Sequence, residues 1–149
     1  MIKVMNGDIL NAKETYLVHQ VNCVGAMGRG LALAIRNKYP DVFRRYQQYC
    51  EEHRSRELLG KVLLIPTDDG KVICNVFGQN GYGTSTQQTD YAALSKAFMS
   101  LATIVPANET MAIPYGMGCG LGGGNWSIVS NMITEIFKHH SIVFYRNNN

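Results

Sequence analysis

Six short segments rich in β-branched and aromatic residues alternate along this chain with stretches of helical periodicity. That alternation restricts the fold more than any other feature. The segments IKVMNG (2–7), TYLVHQVN (15–22), KVLLIP (61–66), KVICNVF (71–77), TMAIP (110–114) and SIVFYR (141–146) read as strands. DDGK at 68–71 is a hairpin turn between the third and the fourth. RGLALAIRNKY is rich in Ala and Leu. In PDVFRRYQQYCEEH, Val42, Tyr46, Tyr49 and Cys50 share a helical face, and Pro40 suits a helix start. Thr89 is expected to cap a helix with the apolar stripe Tyr91, Leu94, Phe98 and Leu101. Asn125 is expected to cap one carrying Ile128, Val129, Met132, Ile133, Ile136 and Phe137. Strands interleaved with helices predict an α/β fold, helices covering a mixed sheet, with any ligand at loops beyond the strand ends.

The 149 residues suffice for one domain with a real core, expected over 1–146, followed by a polar tail at 147–149. A net charge of +3 suits an anionic ligand but is too small to argue for nucleic acid by itself, so nucleic acid is not expected as a partner. The chain shows no long apolar run and no cleavage-site pattern, so neither a leader nor a membrane span is expected. Cys23, Cys50, Cys74 and Cys119 form no C-x-x-C pair. They read as reduced thiols in a cytoplasm, and no metal site is expected. His53, His139 and His140 read as solvated surface residues.

IPYGMGCGLGGGNW (113–126) places six glycines between Gly116 and Gly124, between a strand and a helix. Glycine loses the most backbone entropy on folding, and a tight turn needs only one or two. A loop whose bare amides converge on an anion, followed by the positive end of a helix, accounts for the rest. The Walker signature is absent. Gly118, Gly120 and Gly123 match G-x-G-x-x-G, but only one strand follows and it carries no acid, so a dinucleotide fingerprint is not met. A second glycine-rich stretch, NCVGAMGRGLALAI, carries Gly25, Gly28 and Gly30 between strand and helix. It reads equally as an ordinary strand-to-helix turn or as the opposite wall of a site for a ligand with phosphate and ribose parts.

NGDIL (6–10), VHQVNCVGAMGRGLALAI (18–35), VICNVFGQNGYG (72–83) with QTDYAAL (88–94), and IPYGMGCGLGGGNW (113–126) together resemble the macrodomain family of ADP-ribose-binding modules. They occur in family order over nearly the whole chain. The nearest subgroup is the bacterial and phage type linked to ADP-ribose-1″-phosphate processing, and the terminal ADP-ribose hydrolases are its neighbours. The resemblance implies a single three-layer α/β/α domain with a mixed sheet of six strands and no cofactor. It implies ADP-ribose or an ADP-ribose-1″-phosphate-like ligand, free or on an ADP-ribosylated macromolecule.

It also assigns roles. Asp8 would accept a hydrogen bond from the adenine amine, since a carboxylate is acceptor-only, though Asp8 also reads as a turn residue. Ile9 would flank the adenine. Gly118, Cys119, Gly120, Leu121, Gly122 and Gly123 would form the diphosphate loop, with Gly28 and Gly30 opposite. Asn22 would lie near the distal ribose, where the chemistry occurs; its other reading is a strand-end cap. Phe77, Tyr82 and Tyr115 read either as walls for adenine or ribose or as core. His19 reads either as an acid, base or nucleophile toward a 1″-phosphate, or as a buried histidine bonded to backbone.

The chain departs from the terminal hydrolases. It has no lysine between Lys71 and Lys96 and no aspartate after Asp90, so a lysine-adduct mechanism lacks its residues. Close relatives carry Asp before the Trp of the glycine loop, whereas this chain has Asn125, which can cap a helix but cannot act as a base. Two readings follow. One is a hydrolase that removes a substituent at C1″ largely by positioning. The other is a module that binds ADP-ribose without turning it over.

Overall fold

Every segment with strand-like composition forms a strand: β1 (Ile2–Asn6), β2 (Tyr16–Val21), β3 (Val62–Pro66), β4 (Val72–Phe77), β5 (Thr110–Pro114) and β6 (Ser141–Arg146). The computed structural model describes residues 1–83 and 86–147, so the end of the expected polar tail, Asn148 and Asn149, lies outside the described residues. The strands build one sheet in the order β1-β6-β5-β2-β4-β3. Among the described residues an isolated antiparallel bridge joins Gln79 to Thr89, and the strand pairings are parallel except β3 with β4. The DDGK turn makes that exception possible: Thr67 N–H donates to Lys71 O at 2.8 Å, and Gly70 takes φ +86°.

The helices are α1 (Gly30–Lys38), α2 (Pro40–Glu51), α3 (Ser55–Leu58), α4 (Tyr91–Ile104) and α5 (Trp126–Ile136). Successive strand residues point to opposite faces. Leu17, Val21, Ile73 and Phe77 meet Ile35, Val42, Tyr46 and Leu58 on one side. Val18, Cys74, Val76 and Met111 meet Leu94, Phe98, Val129 and Ile133 on the other. The result is three layers, α/β/α. Burial on both faces explains why the central strands read as almost unbroken apolar runs. Among the described residues, no helix is long and apolar enough to cross a membrane.

Several local expectations need correction. Asp90, not Thr89, caps α4, accepting Ala93 N–H on Oδ1 at 3.0 Å. The Thr89 hydroxyl is turned to the glycine loop instead, where it donates to Gly118 O at 2.6 Å and accepts from Gln20 Nε2 at 2.9 Å. Ile128 is 45 % exposed, off the buried stripe of Val129, Ile133 and Phe137. His140 is buried rather than solvated, with Nε2 3.0 Å from Val105 O and its ring edge-on to Phe137. The chain turns sharply there from α5 into β6 and draws the ring inward. Helix α3 and a single 3-10 turn at Ile9–Asn11 were not expected, because three or four residues carry no readable period.

Asn125 does cap α5: its Oδ1 accepts Ser127 N–H at 2.9 Å. Asn125→Ala is therefore expected to cost about 1 kcal/mol, seen as a fall in Tm of roughly 2–4 °C by calorimetry.

Candidate functional site

A cleft of about 530 Å³ opens beyond the C-terminal ends of β2 and β5. The two glycine-rich loops form its walls. Gly28, Arg29, Gly30, Leu31 and Ala32 line one side, and Gly116, Met117, Gly118, Gly120, Leu121 and Gly122 the other. Tyr82 and Gly83 contribute from the loop after β4, and His19, Gln20, Val21 and Asn22 from the end of β2.

Two features make the walls electropositive. Helix α1 starts without a side-chain cap: Arg29 occupies the N-cap in extended conformation and makes no capping bond. The first-turn N–H groups of Gly30, Leu31 and Ala32 therefore have no intrahelical acceptor. In the glycine loop, the amides of Gly118, Gly120, Leu121 and Gly122 meet no protein acceptor among the described residues, whereas those of Cys119, Gly123 and Gly124 are tied to Gly116 O, Gly120 O and Gly118 O. Arg29 is the one formally charged side chain lining the cleft among the described residues; no carboxylate lines it.

The loop is held by close approach. A Cβ on Gly122 would sit 2.5 Å from Thr89 Oγ1 and 2.8 Å from Gly118 O. At Gly28 and Gly120 the reverse holds: φ lies outside the left-handed region, and a Cβ would meet nothing within 4 Å. Packing in the folded chain does not account for glycine at these two cleft positions.

Of the residues singled out in the sequence, His19, Asn22, Gly28, Gly30, Tyr82, Tyr115, Gly118, Gly120, Leu121 and Gly122 come together at the cleft. Tyr115 packs on Trp126 with ring centroids 5.0 Å apart and lies under the Arg146 guanidinium at 4.1 Å. Phe77 is a core residue rather than a wall. It is fully buried, with its ring 6.0 Å from Tyr46 and 6.1 Å from Tyr49, because alternation on β4 points it toward α2. Ile9 also packs into that core, leaving only its backbone for a ligand. Asp8 is exposed at the end of β1, outside the cleft lining, where Oδ1 caps the 3-10 turn at Leu10 N–H, 2.9 Å. Cys119 and Gly123 shape the loop without lining the cleft: their amides bond within it, and Cys119 Sγ donates to Met117 O at 3.4 Å.

Asn22 and His19 are both buried. Asn22 Oδ1 accepts the N–H groups of Val24 (3.1 Å) and Ala26 (3.2 Å), and Nδ2 donates to Ala26 O at 2.8 Å. The Tyr46 hydroxyl lies 2.7 Å from both Asn22 O and Oδ1. The side chain thus organises loop 22–26 and keeps one Nδ2 hydrogen to offer the cleft. His19 Nε2 is 2.7 Å from Asn75 Oδ1, in register on the neighbouring strand. Asn75 Nδ2 donates to Leu63 O at 3.0 Å, so Oδ1 must face the ring, Nε2 carries the proton and Nδ1 is the acceptor. Burial lowers the His19 pKa to about 4 against the opposing Asn75 bond, so the ring is neutral near pH 7.

Reading the sequence for sites misses Gln20, Arg29 and Asn75. Their signals were legible: polar residues inside apolar strands in VHQV and ICNV, and a cation between two glycines in GRG.

A three-layer α/β/α domain with a glycine-walled cleft beyond the carboxyl ends of its strands belongs to the open α/β class, in which the ligand crevice lies at that end of the sheet. A family model for the Macro domain matches residues 18–133, and the chain belongs to the macrodomain family. It is 30 % identical over 143 residues to the DNA ADP-ribosyl glycohydrolase of Mycobacterium tuberculosis, covering 93 % of this chain and 39 % of that one. It is 31 % identical over 102 residues to the ADP-ribose 1″-phosphate phosphatase of Saccharomyces cerevisiae, covering 63 % and 57 %. The chain thus spans about two fifths of the length of the glycohydrolases it matches. The solved macrodomain of Mycobacterium tuberculosis DarG superposes with a TM-score of 0.83 at 30 % identity over 97 % of both chains. Thermosipho africanus DarTG, solved in complex with ADP-ribose, shares the fold with a TM-score of 0.77 at 22 % identity, over 97 % of this chain and 41 % of that one.

Proposed function

We propose that the cleft binds ADP-ribose or an ADP-ribose derivative and hydrolyses a substituent at C1″ of the distal ribose. One observation carries this reading. The unpaired amides of the glycine loop and the uncapped start of α1 line the same cleft, together with Arg29. Bare amides and a helix dipole stabilise a diphosphate without needing a specific side chain. Glycine at positions 28 and 120 fits the same reading, since a ligand backbone passing close over them would exclude side chains there. The names of the related proteins add the reaction class: removal of a group from C1″, as a phosphate or from an ADP-ribosylated macromolecule.

In the phosphatase form, water oxygen joins phosphorus while the C1″ oxygen leaves and takes a proton. In the glycohydrolase form, water oxygen joins C1″ and the macromolecular group leaves protonated. With no carboxylate in the lining, rate enhancement rests on holding water and sugar in line. This reading assigns that task to Asn22, through its spare Nδ2 hydrogen, and to the neutral ring of His19, both of which line the cleft.

The lack of a lining carboxylate also favours a second reading, a module that binds ADP-ribose and leaves it intact. Titration calorimetry with ADP-ribose, ADP and AMP, followed by turnover of ADP-ribose-1″-phosphate, separates the two. ADP-ribose is expected to bind more tightly than ADP. Asp8→Ala is expected to weaken ADP-ribose roughly tenfold by removing a charged acceptor for the adenine amine. Tight binding with no turnover of phosphate, ester or nucleobase substituents selects the second reading. Binding of none of the three nucleotides overturns both.

A further inference from the structure

We infer that Gln20 and Thr89 form a positioning pair that holds the glycine loop in its cleft-facing conformation and ties it to the opposite loop after β4. The inference of a role in binding rests on the cleft being the phosphate site.

The contacts form one continuous chain. Gln20 lies at the end of β2, on the face opposite His19. Its Nε2 donates twice: to Thr89 Oγ1 at 2.9 Å and to Gln79 Oε1 at 2.6 Å. Thr89 Oγ1 passes its own hydrogen to Gly118 O at 2.6 Å. The backbone closes the clamp, since Gln88 and Thr89 N–H both donate to Gly122 O, at 2.8 and 3.0 Å. On the other side, Gln79 Nε2 donates to Gly81 O at 2.7 Å, beside Tyr82.

The carbonyls of Gly118 and Gly122 are therefore pulled away from the cleft, toward Thr89. The intervening amides of Gly120 and Leu121 meet no protein acceptor. Each side chain uses its hydrogens in one direction only. Gln20 has two donors and both are spent, which fixes its amide orientation, because Gln79 and Thr89 each present an oxygen to it. Thr89 accepts from Gln20 and so must donate to Gly118. Gln20 Oε1 is buried and has no partner, lying 2.5 Å from where a Cβ on Gly78 would stand and 3.0 Å from one on Gly118. The amide is thus packed closely between two glycines, with its donor end on Thr89 and Gln79.

Thr89→Val and Thr89→Ser test this. Valine keeps the shape but removes both the donor and the acceptor; serine keeps both. Amide exchange followed by NMR at Gly124 and Gln88, whose N–H groups bond Gly118 O and Gly122 O, reads the clamp without any ligand. Calorimetry with ADP-ribose reads its consequence, and thermal unfolding controls for global stability. Thr89→Val is expected to accelerate exchange at both amides and weaken ADP-ribose roughly tenfold or more, with serine restoring both to within about threefold of wild type. Gln20→Met, which leaves Thr89's own bond to Gly118 in place, is expected to give a smaller change in the same direction, and serves if the valine variant does not fold.

Unchanged exchange and unchanged affinity in Thr89→Val overturn the inference. So does an equal loss in serine and valine variants that tracks Tm. If wild type binds no ADP-ribose but valine still frees Gly124 and Gln88, the clamp stands and the proposed ligand falls.

Discussion

Gly122→Ala is expected to abolish ADP-ribose binding while leaving the sheet folded. The added methyl would lie 2.5 Å from Thr89 Oγ1, 2.8 Å from Gly118 O and 3.2 Å from Gln20 Nε2. Two of these are the polar atoms that hold the loop, and Gly118 O is backbone, which does not swing aside as the end of a long side chain would. Overpacking of this kind costs about 1–3 kcal/mol when neighbours must move. Here the cheapest relief is for the loop to shift away from Thr89, which carries the amides of 118–122 out of register with a diphosphate. The expected loss is at least roughly 100-fold in affinity, about 2.7 kcal/mol. Gly120→Ala is the internal comparison: its methyl would meet nothing within 4 Å, so the fold is expected to be untouched. Calorimetry on both variants beside a thermal melt checks this. Wild-type affinity in Gly122→Ala would show that the loop is not the phosphate cradle.

Acid is expected to destabilise the protein through His19 well before most carboxylates are protonated. Burial holds its pKa at about 4 in the folded state, against 6.5 when the chain is unfolded, with the Asn75 bond opposing the shift. The unfolded chain therefore takes up a proton as pH falls below 6.5 that the folded chain refuses until about pH 4. Stability from this group is complete above pH 6.5, falls as pH drops through the window from 6.5 to 4, and changes little below it. Each tenfold difference in proton affinity is worth 1.36 kcal/mol, so the loss approaches about 3 kcal/mol at pH 4. Urea unfolding at intervals between pH 7 and pH 4 measures it. His19→Gln keeps a donor for Asn75 but does not titrate, so its stability curve is expected to lack this proton. Parallel curves for the two proteins would show that His19 reaches solvent and protonates freely in the folded state.

The strands were readable because a sheet buried on both faces demands unbroken β-branched and aromatic runs, and this chain has six of them. DDGK marked the antiparallel pairing of β3 with β4 because hairpin geometry is local. The cap at Asn125 was readable for the same reason, its acceptor lying two residues from its donor. The six-glycine stretch marked a loop of special backbone, and the fold accounts for five of the six: Gly116, Gly118 and Gly123 take left-handed φ, and a Cβ on Gly122 or Gly124 would stand 2.8 or 2.7 Å from Gly118 O, which leaves Gly120 to the proposed ligand.

Thr89 shows where that reading stops. As a sequence it is a fair helix cap, one residue before a helix. Folding brings the carbonyl of Gly118, 29 positions away, within 2.6 Å of its hydroxyl, and Gln20 Nε2, 69 positions away, within 2.9 Å, so both its roles are taken and Asp90 caps α4. Phe77 is similar: in the sequence it reads either as a wall or as core, and strand alternation with α2 packed over it decides for core. Asn22 divides between near and distant partners: its bonds to Val24 and Ala26 are the local strand-end capping readable in the sequence, while the Tyr46 hydroxyl reaches it from α2, 24 positions away. The sequence by itself determined which segments are strands, helices and glycine loops, because period, caps and turns are set by neighbours a few residues apart. Only the tertiary structure decided which polar groups face the cleft and which hold it open, because each was settled by competition among partners that sequence distance conceals.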